Sequence, residues 1–130
     1  MHCDVGGGYP ESDSGLSKLA LEWMIAEAKL AKLFVDDAKV DMVLGHTGGY
    51  APPDCNGKLH NSLTGFWHIA EFIPKKHYDY ATKTTAWRPN LYRRRTIPAR
   101  SLVHESAFLR KGDYSSCLPP DAIMVVTPKI

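Results

Sequence analysis

The chain has little cysteine, and its three thiols, Cys3, Cys55 and Cys117, are odd in number and far apart, with no CxxC spacing. That pattern excludes a disulfide framework and a zinc knuckle, and reduced thiols in a cytosolic folding compartment are expected. No apolar run reaches the roughly 18 residues that a membrane-spanning helix needs. No basic stretch leading into an apolar one opens the chain, so no secretory signal peptide is expected. Gly6-Gly7-Gly8 is not a GxGxxG fingerprint, and no GK[ST] follows it, which excludes the common phosphate cradles. The histidines (His2, His46, His60, His68, His77 and His104) never fall at HxH or HExxH spacing. His104-Glu105 lacks the second histidine of a zincin, so neither a metal nor another cofactor is expected. Internal repeats and low-complexity segments are also missing.

What is present is ordinary globular material: 130 residues, 44% hydrophobic and 23% charged, enough for one small domain and unlike a disordered tail. The net charge of +2 is unevenly spread. Met1 to Gly57 carries nine acidic residues and four lysines, whereas Lys58 onward carries twelve basic and five acidic residues. Such asymmetry marks a nucleic-acid or membrane face in some proteins. In others the two halves simply complement each other.

Leu16, Leu19, Ala20, Trp23, Met24, Ala28, Leu30 and Ala31 recur at helical spacing, which predicts a helix from Leu16 to about Phe34 with Ser17 as N-cap. Its apolar stripe needs a large cover, ideally a sheet. A short helix or turn is expected at Asp36 to Leu44, then a loop from Gly45 to Lys58. A further helix, Ser62 to Ile73, must stop before Pro74. Thr82–Trp87 and Leu91–Ile97 read as two strands of a hairpin turning at Pro89-Asn90. Ser101 is expected to cap a helix from Leu102 to about Lys111, ended by Gly112. No central sheet is recognisable.

Three groups of residues are candidates for chemistry. His2, with Asp4 and the loop glycines Gly6, Gly7 and Gly8, suits a general base on a loop leading into a helix. Three consecutive glycines permit positive φ, and such a loop is usually held between two elements. A strand is therefore expected before His2, outside this sequence. Read the other way, His2 is a frayed terminal residue. Cys3 adjoins His2, but neighbours on an extended chain point to opposite sides, so Cys3 is read as a small apolar filler. Arg93, Arg94 and Arg95, near Tyr92 and Trp87, are candidate anion-binding residues for the phosphates of lipid or nucleic acid. On a strand, Arg93 and Arg95 would share a face. The alternative is a solvated hairpin edge whose charge blocks edge-to-edge pairing.

The string His2-Cys3-Asp4-Val5-Gly6-Gly7-Gly8-Tyr9-Pro10-Glu11, with Gly15-Leu16-Ser17 and Leu21-Glu22-Trp23-Met24, resembles a segment of a bacterial α/β-hydrolase family. This is the domain-of-unknown-function family that includes type VI secretion phospholipase and lipase effectors. Ser62-Leu63, Arg95-Thr96-Ile97-Pro98 and Leu102-Val103-His104-Glu105-Ser106 resemble the same family's C-terminal portion. The resemblance spans roughly His2 to Pro119. It implies an α/β fold in which residues 1–130 form the C-terminal part of a partial α/β-hydrolase domain, mainly helices plus one β-hairpin with the central sheet largely missing. In that family the triad runs Ser, Asp, His. The resemblance places the histidine on His2, with Asp4 and the glycines shaping the loop around it. His104 is the competing choice, set aside because it falls inside an expected helix.

No G-x-S-x-G elbow occurs, and Ser62, Ser101 and Ser106 lack its flanking glycines. One general base without nucleophile and acid cannot run covalent acyl transfer. The expected function is thus a fragment of a serine ester hydrolase, inactive alone, whose serine and acid lie on an upstream piece. The resemblance implies a phospholipid or other ester substrate. It also implies a cytoplasmic location in the producing cell, with type VI export if the chain belongs to an intact effector. Nucleic acid is not an expected partner. The alternative is a non-catalytic module that binds anionic lipid or a partner chain.

Overall fold

The computed structural model describes residues 2–61, 63–79, 82–93 and 96–128. The chain divides into two compact units, one formed by Met1–His60 with Ile97–Ile130 and the other by Asn61–Thr96.

The first unit opens with a one-turn helix, α1 (His2–Gly6), then a 3-10 turn at Glu11–Asp13 and the long helix α2 (Gly15–Leu30). Gly7 and Gly8 take φ of +80° and +119°, so the chain between α1 and the 3-10 turn uses the freedom that glycine provides. The expected long helix is present, with different ends. Its N-cap is Ser14, not Ser17, because the 3-10 turn runs straight into the helix. Ser14 Oγ donates to Glu11 O and Ser17 Oγ donates to Ser14 O, so neither hydroxyl caps a free N–H. The helix stops before Phe34 because Lys32 adopts φ +61° and the N–H groups of Lys32 and Leu33 turn back onto Lys29 O and Ala28 O. This is a left-handed C-terminal closure made without glycine.

Helix α3 (Asp37–Val43) lies where expected, capped by Asp36, whose Oδ1 accepts from Lys39 N at 3.2 Å. Residues 45–58 form the expected loop. Its tightest point is Gly45, at φ +74°, where an added Cβ would lie 2.6 Å from Tyr50 O.

Farther along, strand β1 (Lys75–Asp79) and strand β2 (Thr84–Arg88) belong to the second unit. Back in the first unit, the helix expected at Leu102–Lys111 is replaced by strand β3 (Leu102–His104) followed by a short helix (Glu105–Leu109). β3 pairs in parallel with β4 (Ile123–Val125). Partners 21 residues away in the chain convert Leu102 and Val103 to strand, overriding their local helical spacing. Ser101 does not cap; its hydroxyl donates to Pro98 O and its carbonyl accepts from Ile123 N.

In the second unit, the helix expected at Ser62–Ile73 shrinks to one turn, α4 (Trp67–Ala70), and Ser62 lies outside the described residues. The Glu105–Leu109 helix is accordingly α5. The hairpin is antiparallel β1–β2, with Lys75 opposite Arg88 and Asp79 opposite Thr84. The run expected at Thr82–Trp87 is extended from Thr84 only, and its partner is Lys75–Asp79. Arg94 and Arg95 lie outside the described residues, and the run expected at Leu91–Ile97 does not begin as a second strand, because Leu91 and Tyr92 take φ of +49° and +58°. Glu71 explains why. Its carbonyl accepts from Asn90 N and Leu91 N, and its carboxylate accepts from Asn90 Nδ2 at 2.5 Å and Tyr92 N at 2.9 Å. Donors that would have formed a ladder are bound to one buried residue instead.

Apolar burial is thin. Among the described residues, the buried hydrophobic side chains are Ala26 and Leu44, while Asp4, Ser14, Lys18 and Glu71 are buried polar ones. Polar contacts therefore hold much of the fold. Lys18 Nζ, for instance, donates to Val43 O at 2.7 Å and pairs with Glu11 at 3.0 Å.

Candidate functional site

The candidate site lies in the first unit and begins at α1. One turn of helix directs Asp4 inward, and the glycines carry the chain back so that Tyr9 and Asp13 follow. The Asp4 carboxylate accepts from the His60 backbone N–H at 3.3 Å and meets His60 Nδ1 at 2.7 Å. His60 Nε2 meets Asp13 Oδ2 at 3.2 Å, and Lys58 Nζ reaches the same oxygen at 3.2 Å. The Tyr9 ring stacks on the imidazole at 3.6 Å between centroids.

A carboxylate only accepts hydrogen bonds, so the two carboxylates draw on the N–H groups of one ring. Burial pushes the Asp4 carboxyl up, but the side-chain and backbone hydrogen bonds from His60 outweigh it and hold the group below its ordinary value. Asp13 is also held low, first by the hydrogen bond to His60 and then by Lys58. Glu11 is lowered by Lys18 and by the Ala51 N–H. Both ring nitrogens of His60 are taken up by carboxylates. It is a bridge, not a base.

The second imidazole of the site is His104. It ends β3 and caps α5, contrary to the expectation that it lies within a helix. Its Nδ1 accepts from Ser106 N at 3.3 Å and lies 2.9 Å from Ser106 Oγ. Nε2 lies 2.9 Å from Thr127 Oγ1 and, in the tautomer that leaves Nδ1 free to accept, donates to it. Ser106 occupies the first turn of α5 with no flanking glycine elbow, so its contact with His104 is that of a helix cap.

His104, Ser106 and Arg110 share the wall of a cavity of about 280 Å³ with Asp4. Leu16, Leu19, Ala20 and Trp23 of α2, with Val5 and Leu59, supply its apolar lining. Arg110 is fixed there by donating from Nη1 to Cys55 O at 2.6 Å. The amphipathic stripe of α2 thus partly faces this cavity.

Of the residues singled out from sequence, Asp4 is at the cavity, and Gly7 and Gly8 shape the loop. Gly6 ends α1 with open space around the position of a Cβ. The His2 backbone lies in α1, not on a loop, and its side chain lies outside the described residues. Cys3 is an exposed thiol on that helix, not a buried filler. Arg93 is exposed beyond the turn at Leu91-Tyr92, while Arg94 and Arg95 lie outside the described residues. A shared strand face for Arg93 and Arg95 therefore has no support. His60, read from sequence only as one of the scattered histidines, has partners 47 and 56 residues away. Among the described residues, no group of three His, Cys, Asp or Glu side chains could hold a metal ion, and no helix is long and apolar enough to cross a membrane. Comparison with protein-family models, curated proteins and solved structures gives no match.

Proposed function

We propose that this chain contributes the acid–base side of a serine ester hydrolase whose nucleophile is carried by another segment. The observation that carries this reading is the cavity that has an imidazole, His104, and a carboxylate, Asp4, in an otherwise apolar wall. An ester substrate needs such a place, because its acyl group seeks apolar surface and its reacting oxygen needs a nearby proton carrier. The resemblance of the His2–Glu11 and Leu102–Ser106 strings to type VI lipase effectors supports the same reaction class. The thin apolar core fits a chain whose helix faces are covered by further structure.

In this reading His104 is the preferred base. The ground for setting it aside was a helical position, and it stands instead at a strand end, where hydrolase bases commonly sit. Asp4 is a positioning residue that secures the loop around His60. The chain alone is expected to hydrolyse no ester, since it contains no serine elbow.

The test is to translate the DNA upstream of the Met1 codon in all frames. The expected result is a frame with G-x-S-x-G and then an apolar strand leading into His2; its absence overturns the reading. The joined protein then separates the two histidines. His104→Ala is expected to abolish p-nitrophenyl ester turnover while His2→Ala retains it, and the reverse pattern would return the base to His2.

A further inference from the structure

Among the described residues, the buried charges of the first unit are each matched: Lys18 pairs with Glu11 at 3.0 Å, and Asp4 meets His60 Nδ1 at 2.7 Å. The half-buried Arg110, which follows α5 and lines the cavity, is not. Its guanidinium donates to Cys55 O at 2.6 Å, and among the described residues no carboxylate lies within ion-pair distance of it. Arginine has five N–H donors and stays charged, so most of its donors and its whole charge are left without a partner. A charge withdrawn from water without a counter-group is costly, and such groups cluster where a ligand completes them.

The group is held in place before any ligand arrives. Beside the bond to Cys55 O, the N–H of Lys111 donates to Asn56 Oδ1 at 2.9 Å, and the guanidinium carbon lies 5.7 Å from the Tyr114 ring centroid. Such fixing lowers the ordering cost of binding. The rest of the wall selects the occupant. Leu16, Leu19, Ala20 and Trp23 offer it apolar surface. At about 280 Å³ the cavity is at the small end of ligand pockets, with room for one compact apolar body. The Asp4 carboxylate on the same wall opposes a doubly charged head. Glu22 and Glu105 border a neighbouring cavity and do not line this one. A carboxylate carries one charge and matches the planar guanidinium through two parallel N–H···O bonds.

We propose that this cavity binds a small organic monocarboxylate, with its head on Arg110 and a single apolar body against Leu16, Leu19, Ala20 and Trp23. The proposal goes beyond the hydrolase reading and does not rest on it. Binding is read on the chain alone, which is expected to hydrolyse no ester, so failure of either reading leaves the other standing.

The test is isothermal titration calorimetry of the full chain with sodium octanoate, octan-1-ol and octylammonium chloride, a comparison that needs no variant to fold. Octanoate is expected to bind saturably, one per chain, and at least about tenfold tighter than the alcohol or the ammonium. Arg110→Gln is expected to bring octanoate down to the level of octanol. Ala20→Phe, which fills the apolar side and leaves Arg110 in place, is expected to weaken both. In a Trp67→Phe/Trp87→Phe chain, whose remaining indole is Trp23, octanoate is expected to change the fluorescence with the same midpoint. Absence of saturable octanoate binding, equal affinity for octanol, or a Trp23 signal that does not move at saturation each overturn the proposal. Tighter binding of octylammonium overturns it in favour of a cation site governed by Asp4.

Discussion

The two units secure their loops by the same device at different depth. In Met1–His60 with Ile97–Ile130, the buried Asp4 captures His60 from 56 residues away, Asp13 takes the other side of the ring, and Tyr9 covers it. In Asn61–Thr96, Glu71 captures Asn90 and Tyr92 from about twenty residues away, with Phe72 meeting the Tyr92 ring edge-on and His68 Nδ1 3.0 Å from its hydroxyl. One knot joins a helix, a glycine loop and a distant segment beside a sixteen-residue helix. The other joins one helical turn to the chain beyond a lone hairpin, an arrangement only marginally stable in water by itself. A buried carboxylate can organise a chain with little apolar core, but the resulting stability depends on what else packs around it.

The largest break in this comparison is expected from Asp4→Ala. It leaves the His60 ring and backbone N–H without their acceptor, at a cost of about 3 kcal/mol. Thermal denaturation followed by circular dichroism checks it, and an unchanged midpoint would show that Asp13 alone suffices to hold the ring. Gly45→Ala comes next. The new Cβ would press on Tyr50 O at 2.6 Å in a left-handed backbone, so about 2 kcal/mol is expected by the same measurement. Gly48→Ala sharpens that result. It too has a positive φ, 86°, but open space around its Cβ, so about 1 kcal/mol of backbone strain is all it should show.

Acid separates the knots from the rest of the molecule. Asp4, Asp13, Glu11 and Glu71 are all held below their ordinary values of 3.8 for Asp and 4.5 for Glu. A lowered carboxyl binds fewer protons folded than unfolded in the interval between its two values. Its contribution is therefore complete above the ordinary value and is lost as pH falls through the lowered one. The carboxylates' share of the stability should decline as pH falls below about 4, measured by denaturant midpoints across the acid range. A midpoint that does not move would remove the carboxylates from the account. The smallest effect is expected from Glu71→Gln, which keeps one acceptor oxygen. Amide exchange should accelerate at Leu91 and Tyr92 with little change in the first unit, whereas equal acceleration in both units would erase the distinction between them.

Elements with strong local signals were legible in sequence. The stripe from Leu16 onward announced α2, and Gly45 to Lys58 announced a loop, because periodicity and turn chemistry act over a few residues; at Asp36–Leu44 a helix or turn was expected, and the Asp36 cap makes it the helix α3. Helix ends were less legible. Lys32 closes α2 in a conformation that its side chain does not advertise. At Leu102–His104 and Leu91–Ile97 local reading failed, since β3 exists through Ile123–Val125 and the second run is held by Glu71. At the candidate site, Asp4 and the glycines stood out as a motif. His60 did not, and His104 was placed in the wrong kind of element.

The sequence by itself determined the long amphipathic helix, the acidic–basic split of the chain, the positive-φ loop at Gly7-Gly8 and the lack of a serine elbow. Each depends on residue type or on spacing within a turn or two. The tertiary structure decided which imidazole Asp4 holds, which one faces the cavity, and which run pairs with Thr84–Arg88. Those choices depend on partners about ten to more than fifty residues apart, selected by hydrogen bonds that buried groups must make, and no local pattern encodes them.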